Sequence, residues 1–154
     1  MDKNFYLYRL LNGILWAITI VISAILLREN FSKVLLLFSV CGVMSSFKIG
    51  RKPQIVVSQI VVWAGVIIAA IVLFGKSFFE FLIPPIICTG ISLPIFLKAK
   101  RWGNYIVGNA VLWGGAMIGS AILLKGIFSK IVLLLIICAS LSVIILPFVC
   151  RKSN

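Results

Sequence analysis

Three tryptophans set the register of this chain. Trp16, Trp63 and Trp113 stand 47 and then 50 residues apart, and each keeps the same company. Four residues before them lie the side-chain amides Asn12, Gln59 and Asn109. Fifteen residues after them come Phe31, Phe78 and Phe128. Twenty-five after come Cys41, Cys88 and Cys138, and twenty-nine after come Ser45, Ser92 and Ser142. Without gaps, 15 of the 34 residues of Asn12–Ser45 recur in Asn109–Ser142. Apolar composition alone aligns Leu with Ile by chance. It does not align Trp, Cys, Ser and an amide three times. Equivalent residues of a repeat occupy equivalent places, so the pattern predicts a modular architecture. The middle copy diverges most, with Gly75 where its sisters have Arg28 and Lys125, and Glu80 where they have Lys33 and Lys130.

Hydropathy then selects the medium. Sixty-two per cent of the residues are hydrophobic and only 12% are charged. Stretches such as Pro53–Gly75 and Asn104–Leu124 carry no charge and are long enough to cross about 30 Å of hydrocarbon. A helix is the open-ended element that satisfies its own backbone in lipid. The fold class expected is therefore an all-α integral membrane protein. Six spans are predicted, at roughly 10–27, 34–49, 54–74, 79–97, 104–124 and 131–149. They form three tandem helical hairpins, about 10–52, 53–101 and 102–152, within a single transmembrane domain covering 1–154. Each hairpin crosses twice, so all three share one orientation, and pseudo-threefold symmetry about an axis along the membrane normal is expected. The first span lacks a small-residue cleavage site followed by a soluble domain and is read as a signal anchor.

The net charge of +12 comes from 15 Lys and Arg. They lie in short clusters between apolar runs, which is the layout of membrane-flanking anchors and not of a nucleic-acid groove. Ten belong to the amino end, the second and fourth connections and the tail. Five, namely Arg28, Lys33, Lys76, Lys125 and Lys130, belong to the other side. The positive-inside bias then puts both termini in the cytoplasm, and the short connections suit a bacterial inner membrane.

Several constellations have a functional and a structural reading. Asn12, Gln59 and Asn109 share a helix face with Trp16, Trp63 and Trp113. A ring of three amides about an axis could bind a solute, but interhelical hydrogen bonding is the favoured role, with the tryptophans as interface anchors. Cys41, Cys88 and Cys138 invite a three-thiolate metal site. The chain has no His, and neutral thiols packed among helices are expected instead, together with Ser45, Ser92 and Ser142. Gly115 and Gly119 form GxxxG, and Gly65 with Ala69 fall at equivalent positions, giving faces for helix packing or for a partner. Pro84, Pro85 and Pro94 make the fourth span the place for departures from ideal geometry.

Neither a nucleophile with its base nor a phosphate loop can be read in the sequence, so no enzyme and no cofactor or metal is expected. The absence of ionisable residues deep in the predicted spans disfavours a proton-coupled carrier. Two functions remain. One is a membrane-embedded partner, an immunity or exclusion protein or an accessory subunit of a membrane complex. The other is a passive channel or facilitator for a small solute or ion along the pseudo-threefold axis. The partners expected are the lipid bilayer and another membrane protein or a second copy of the chain, with no nucleic acid.

Overall fold

The computed structural model describes residues 3–47, 53–98 and 102–152. The described residues are helical almost throughout. In chain order the helices are α1 (Lys3–Leu27), α2 (Ser32–Ser46), α3 (Pro53–Phe74), α4 (Phe78–Leu97), α5 (Trp102–Leu124), α6 (Ser129–Ser140) and α7 (Leu146–Lys152). A π turn over Leu141–Ile145 links α6 to α7. Four stretches are long and apolar enough to cross a membrane: Asn4–Asn30, Pro53–Leu97, Trp102–Ile127 and Ser129–Cys150. The chain is thus an all-helical protein built for a bilayer.

α2 is shorter than the sequence predicts. Its 15 residues rise about 22 Å, less than the hydrocarbon thickness of about 30 Å. Its end is fixed by two side chains from other helices. Arg9 donates to the Ser46 carbonyl at 2.8 Å, and the Tyr105 hydroxyl donates to the Phe47 carbonyl at 3.2 Å. The last carbonyls of a helix need such donors, and a cation there also opposes the negative end of the helix dipole. Lys48, Arg51, Lys52, Lys100 and Arg101, which carry much of the charge bias, lie outside the described residues.

The connections α1–α2, α3–α4 and α5–α6 share one geometry. Each is a short 3₁₀ turn, over Arg28–Asn30, Gly75–Ser77 and Lys125–Ile127. Each opens on a residue in the left-handed region: Arg28 at φ 48°, Gly75 at φ 53° and Lys125 at φ 49°. Each closes on the recurring phenylalanine, Phe31, Phe78 or Phe128. A left-handed residue just past a helix turns the chain back on itself and is usually glycine, because a Cβ is disfavoured there.

The helices do not contribute equally to the interior. α1, α2, α4 and α5 supply most of the buried side chains, among them Trp16, Leu37, Phe38, Phe96, Leu112 and Trp113. α3 supplies one fully buried residue, Ala70, which meets Leu36 of α2 and Leu82 of α4. Much of the rest of α3 faces outward, with Val57, Ile60, Val61, Ile68 and Val72 exposed. At the end opposite the turns, Phe5, Tyr8, Phe96, Trp102 and Tyr105 form a cluster of edge-to-face and tilted rings.

The left-handed Arg28 and Lys125 yield a prediction. Arg28→Gly and Lys125→Gly should each stabilise the fold by about 1 kcal/mol, and Gly75→Ala should cost a similar amount. Reversible unfolding in mixed micelles of dodecyl sulfate measures all three. Destabilisation by both glycine substitutions would contradict the turn geometry.

Candidate functional site

The most polar place inside the helices lies where α1 and α5 cross. Asn12 and Asn109 are both buried there. The Asn12 Nδ2 donates to Asn109 Oδ1 at 3.1 Å and also to the Ser45 hydroxyl. Asn109 Nδ2 donates to the Ser142 hydroxyl at 2.6 Å and to the Tyr8 hydroxyl at 2.8 Å. Ser142 Oγ donates to Asn12 Oδ1 at 2.5 Å. Both hydrogens of each amide nitrogen are therefore used, and both amide oxygens accept a bond. The site is a closed knot of five side chains from four helical segments.

Its upper layer is aromatic. Trp16 and Trp113 stack with ring centroids 3.8 Å apart and planes 11° from parallel. Each is 1% exposed. These tryptophans are central packing elements, in contrast to the interface anchors expected from sequence. Tryptophan serves at an interface when its N–H reaches water or headgroups. Here one turn separates each Trp from its Asn, so the rings are drawn inward with the amides. Neither indole N–H has a partner among the described residues.

Contacts between equivalent residues define a local symmetry. Asn12 bonds Asn109 and Trp16 stacks on Trp113, and each pair is 97 residues apart in sequence. A surface that meets its own copy in this way marks a twofold relation. The offset recurs in burial, pairing Val34 with Ile131, Phe38 with Leu135, and Ser23 with Ser120. It recurs at the thiols with one change. The Cys41 thiol points to the Leu112 carbonyl at 3.9 Å. At the matching place the Leu15 carbonyl accepts from Thr19 at 2.8 Å instead.

Gln59 does not join this centre. It is half-buried on α3, and its Nε2 has no hydrogen-bond partner among the described residues. Trp63 is likewise half-buried, beside Gln59 along a cleft of about 420 Å³ whose far wall includes Met44, Thr89 and Leu93. Ser92, the counterpart of Ser45 and Ser142, donates to its own helix at Cys88 O, 2.7 Å away. The pseudo-threefold ring of amides is thus corrected to a pair about a twofold. The middle pair differs because Thr89 and Ser92 donate to carbonyls of their own helix instead of reaching α3, and Pro84, Pro85 and Pro94 also lie inside α4.

The cysteines are also divided. Cys41 turns to the Leu112 carbonyl, while Cys88 lies against Gly115. Among the described residues no group of His, Cys, Asp or Glu could hold a metal ion. The small-residue faces separate too. A Cβ on Gly115 would run into Cys88 Sγ, and one on Gly119 would come within 2.6 Å of Leu37. Those glycines let α5 close on α4 and α2 within the chain. A Cβ on Gly65 would meet nothing within 4 Å, and Ala69 is half-buried against the small Leu36–Ala70–Leu82 cluster.

Sequence reasoning missed Tyr8, Tyr105 and Arg9. Arg9 is buried within α1, its guanidinium 6.0 Å from the Tyr105 ring centroid. The two tyrosines are 97 residues apart, so the first-to-third offset held the signal. The π turn at Leu141–Ile145 was not legible either. In that register the Leu146 N–H reaches Leu141 O. Pro147 has no N–H to offer Ser142 O, and the Tyr8 hydroxyl donates to that carbonyl at 3.3 Å. Comparison with protein families, with characterised proteins and with solved structures finds no match to this chain.

The two amide environments separate experimentally. Asn109→Leu should cost about 1–2 kcal/mol, because it leaves Asn12, Tyr8 and Ser142 short of partners in a dry site. Gln59→Leu should change stability by less than about 0.5 kcal/mol. Gly115→Leu should cost about 1–3 kcal/mol through overpacking, and Gly65→Leu almost nothing. The same micellar unfolding assay ranks these four. Equal losses at Asn109 and Gln59 would contradict the twofold knot.

Proposed function

We propose that this chain is a non-catalytic membrane protein that acts by binding another membrane protein, as an immunity or exclusion protein or an accessory subunit does. On this reading it crosses a bacterial inner membrane six times, in three related hairpins, with both termini in the cytoplasm. The common turn geometry at Arg28, Gly75 and Lys125 supports the three-hairpin description. The short α2 crosses by having its end drawn in by Arg9 and Tyr105.

One observation carries the binding role. The Gln59 amide nitrogen is shielded without a hydrogen-bond partner, whereas its counterparts in the first and third hairpins are fully bonded. An unpaired amide in hydrocarbon is costly. Turned out onto the exposed face of α3, the Gln59 amide would find its missing acceptor in a helix of another protein laid along that face. α3 is suited to such a neighbour, because Ala64 and Gly65 are exposed on it and small residues admit close approach of a second backbone. Of the two faces expected from sequence, the partner face is thereby narrowed to the α3 surface around Gly65, because Gly115 and Gly119 are used inside the chain.

A conduit is the second reading, and the cleft of about 420 Å³ beside Gln59, Trp63 and Thr89 favours it. Its path would run past Gln59, since the closed Asn12–Asn109 knot favours packing over permeation. Gentle detergent extraction, quantifying whatever membrane protein remains with the tagged chain, separates the two readings when run beside flux assays in liposomes. Gly65→Leu and Gln59→Leu should each lower recovery of a specific partner several-fold, with Gly103→Leu as an open-position control. Solute or ion flux from the purified chain, lost in Gln59→Leu, would replace the binding role with the conduit.

A further inference from the structure

A further groove among the described residues plays no part in the knot or in the α3 face. It is a groove of about 810 Å³ between α4 and α5. Its floor includes Cys88, Gly115 and Gly119, and a Cβ on Gly115 would run into Cys88 Sγ. Its rims are apolar, with Ile83, Ile87 and Ile91 on α4 and Ile118 and Ile122 on α5, all exposed. The charged residues lining it are Lys33, Glu80 and Lys125, at the start of α2, in the first turn of α4 and just past α5. They gather at the turn end. Among the described residues none of the three forms an ion pair.

The shape and the charges describe one occupant. Along α5 the lining runs from Val111 to Lys125, about 21 Å by helical rise. That exceeds half of the hydrocarbon thickness of about 30 Å, so it takes the full length of an acyl chain from one leaflet. Two lysines and one carboxylate leave the mouth with a single net positive charge. A basic pocket between helices at the membrane surface is the chemistry that holds a lipid headgroup. We propose that this groove is a specific phospholipid site, with the phosphate at Lys33 and Lys125 and one acyl chain lying over Gly114 and Gly115 between the isoleucine rims. Gly114 is essential to the room available: it lines the groove, and a Cβ on it would meet nothing within 4 Å. The absence of a side chain there creates space for the acyl chain. Glu80 tunes the headgroup by repelling excess negative charge.

The test uses the full chain in detergent with added phosphatidylglycerol or diacylglycerol of the same chains, followed by native mass spectrometry. One phosphatidylglycerol per chain should be retained in preference to diacylglycerol. The double variant Lys33→Gln/Lys125→Gln should weaken retention about tenfold or more, on the scale of basic residues at an anionic headgroup. Glu80→Gln should strengthen it. Gly114→Leu should abolish it by filling the groove, while Gly90→Leu, at an open position outside the groove, should leave it intact. Unfolding midpoints of the variants identify any loss due to misfolding. Equal retention of diacylglycerol, or undiminished retention in well-folded Gly114→Leu, would overturn the site and leave only a non-specific lipid annulus.

Discussion

The bond between Asn12 and Asn109, with the tryptophan stack above it, is the contact on which the arrangement of the helices depends. In hydrocarbon there is no apolar driving force between helices, because lipid tails are as apolar as leucine. Packing and interhelical hydrogen bonds must decide which helices meet. Here the two amides reach each other, Ser45, Ser142 and Tyr8, drawing α1, α2, α5 and the α6–α7 segment to one point. Such a bond contributes only about 0.6 kcal/mol on average in membranes. Its larger effect is on specificity, since any other register of α1 on α5 leaves several polar groups without partners.

The same constraint explains why the middle hairpin stands apart. It carries the amide, the Trp, the Cys and the Ser in register, yet its α4 hydroxyls are committed to their own backbone. Gln59 is also one methylene longer than asparagine, with more rotamer freedom to lose on ordering. The first and third hairpins pair about a twofold, and the middle one packs on their flank through Gly115, Gly119, Phe96 and Ala70. The chain thereby leaves two surfaces facing lipid that its core does not use: the α3 face and the α4–α5 groove.

Much of this was legible in the sequence. The apolar runs between charges give the helices, and the repeat gives the turns, because Phe31, Phe78 and Phe128 close the same 3₁₀ geometry. The closer likeness of the first and third copies also foreshadows their pairing, in shared residues the middle copy lacks, such as Ser23 with Ser120 and Lys33 with Lys130. What could not be read was the order of the symmetry. Three equivalent units suggest a ring, but equivalence in sequence does not require equivalence in contact. One deciding difference, Pro147 in the third unit, acts through a missing backbone donor whose place at the Ser142 carbonyl is taken by Tyr8 of another helix. The inward turn of Trp16 and Trp113 and the capping of α2 by Arg9 likewise depend on neighbours distant in sequence.

The twofold pairing is tested most directly by cross-linking at the three tryptophan positions. In a background whose native cysteines are replaced, Cys is introduced pairwise at 16 and 113, at 16 and 63, and at 63 and 113, and each pair is treated with a short thiol cross-linker in the membrane. The structure predicts efficient intramolecular linkage for 16 with 113 and little for either pair containing 63. Comparable linkage of all three pairs would restore a threefold ring and contradict the account given for the knot.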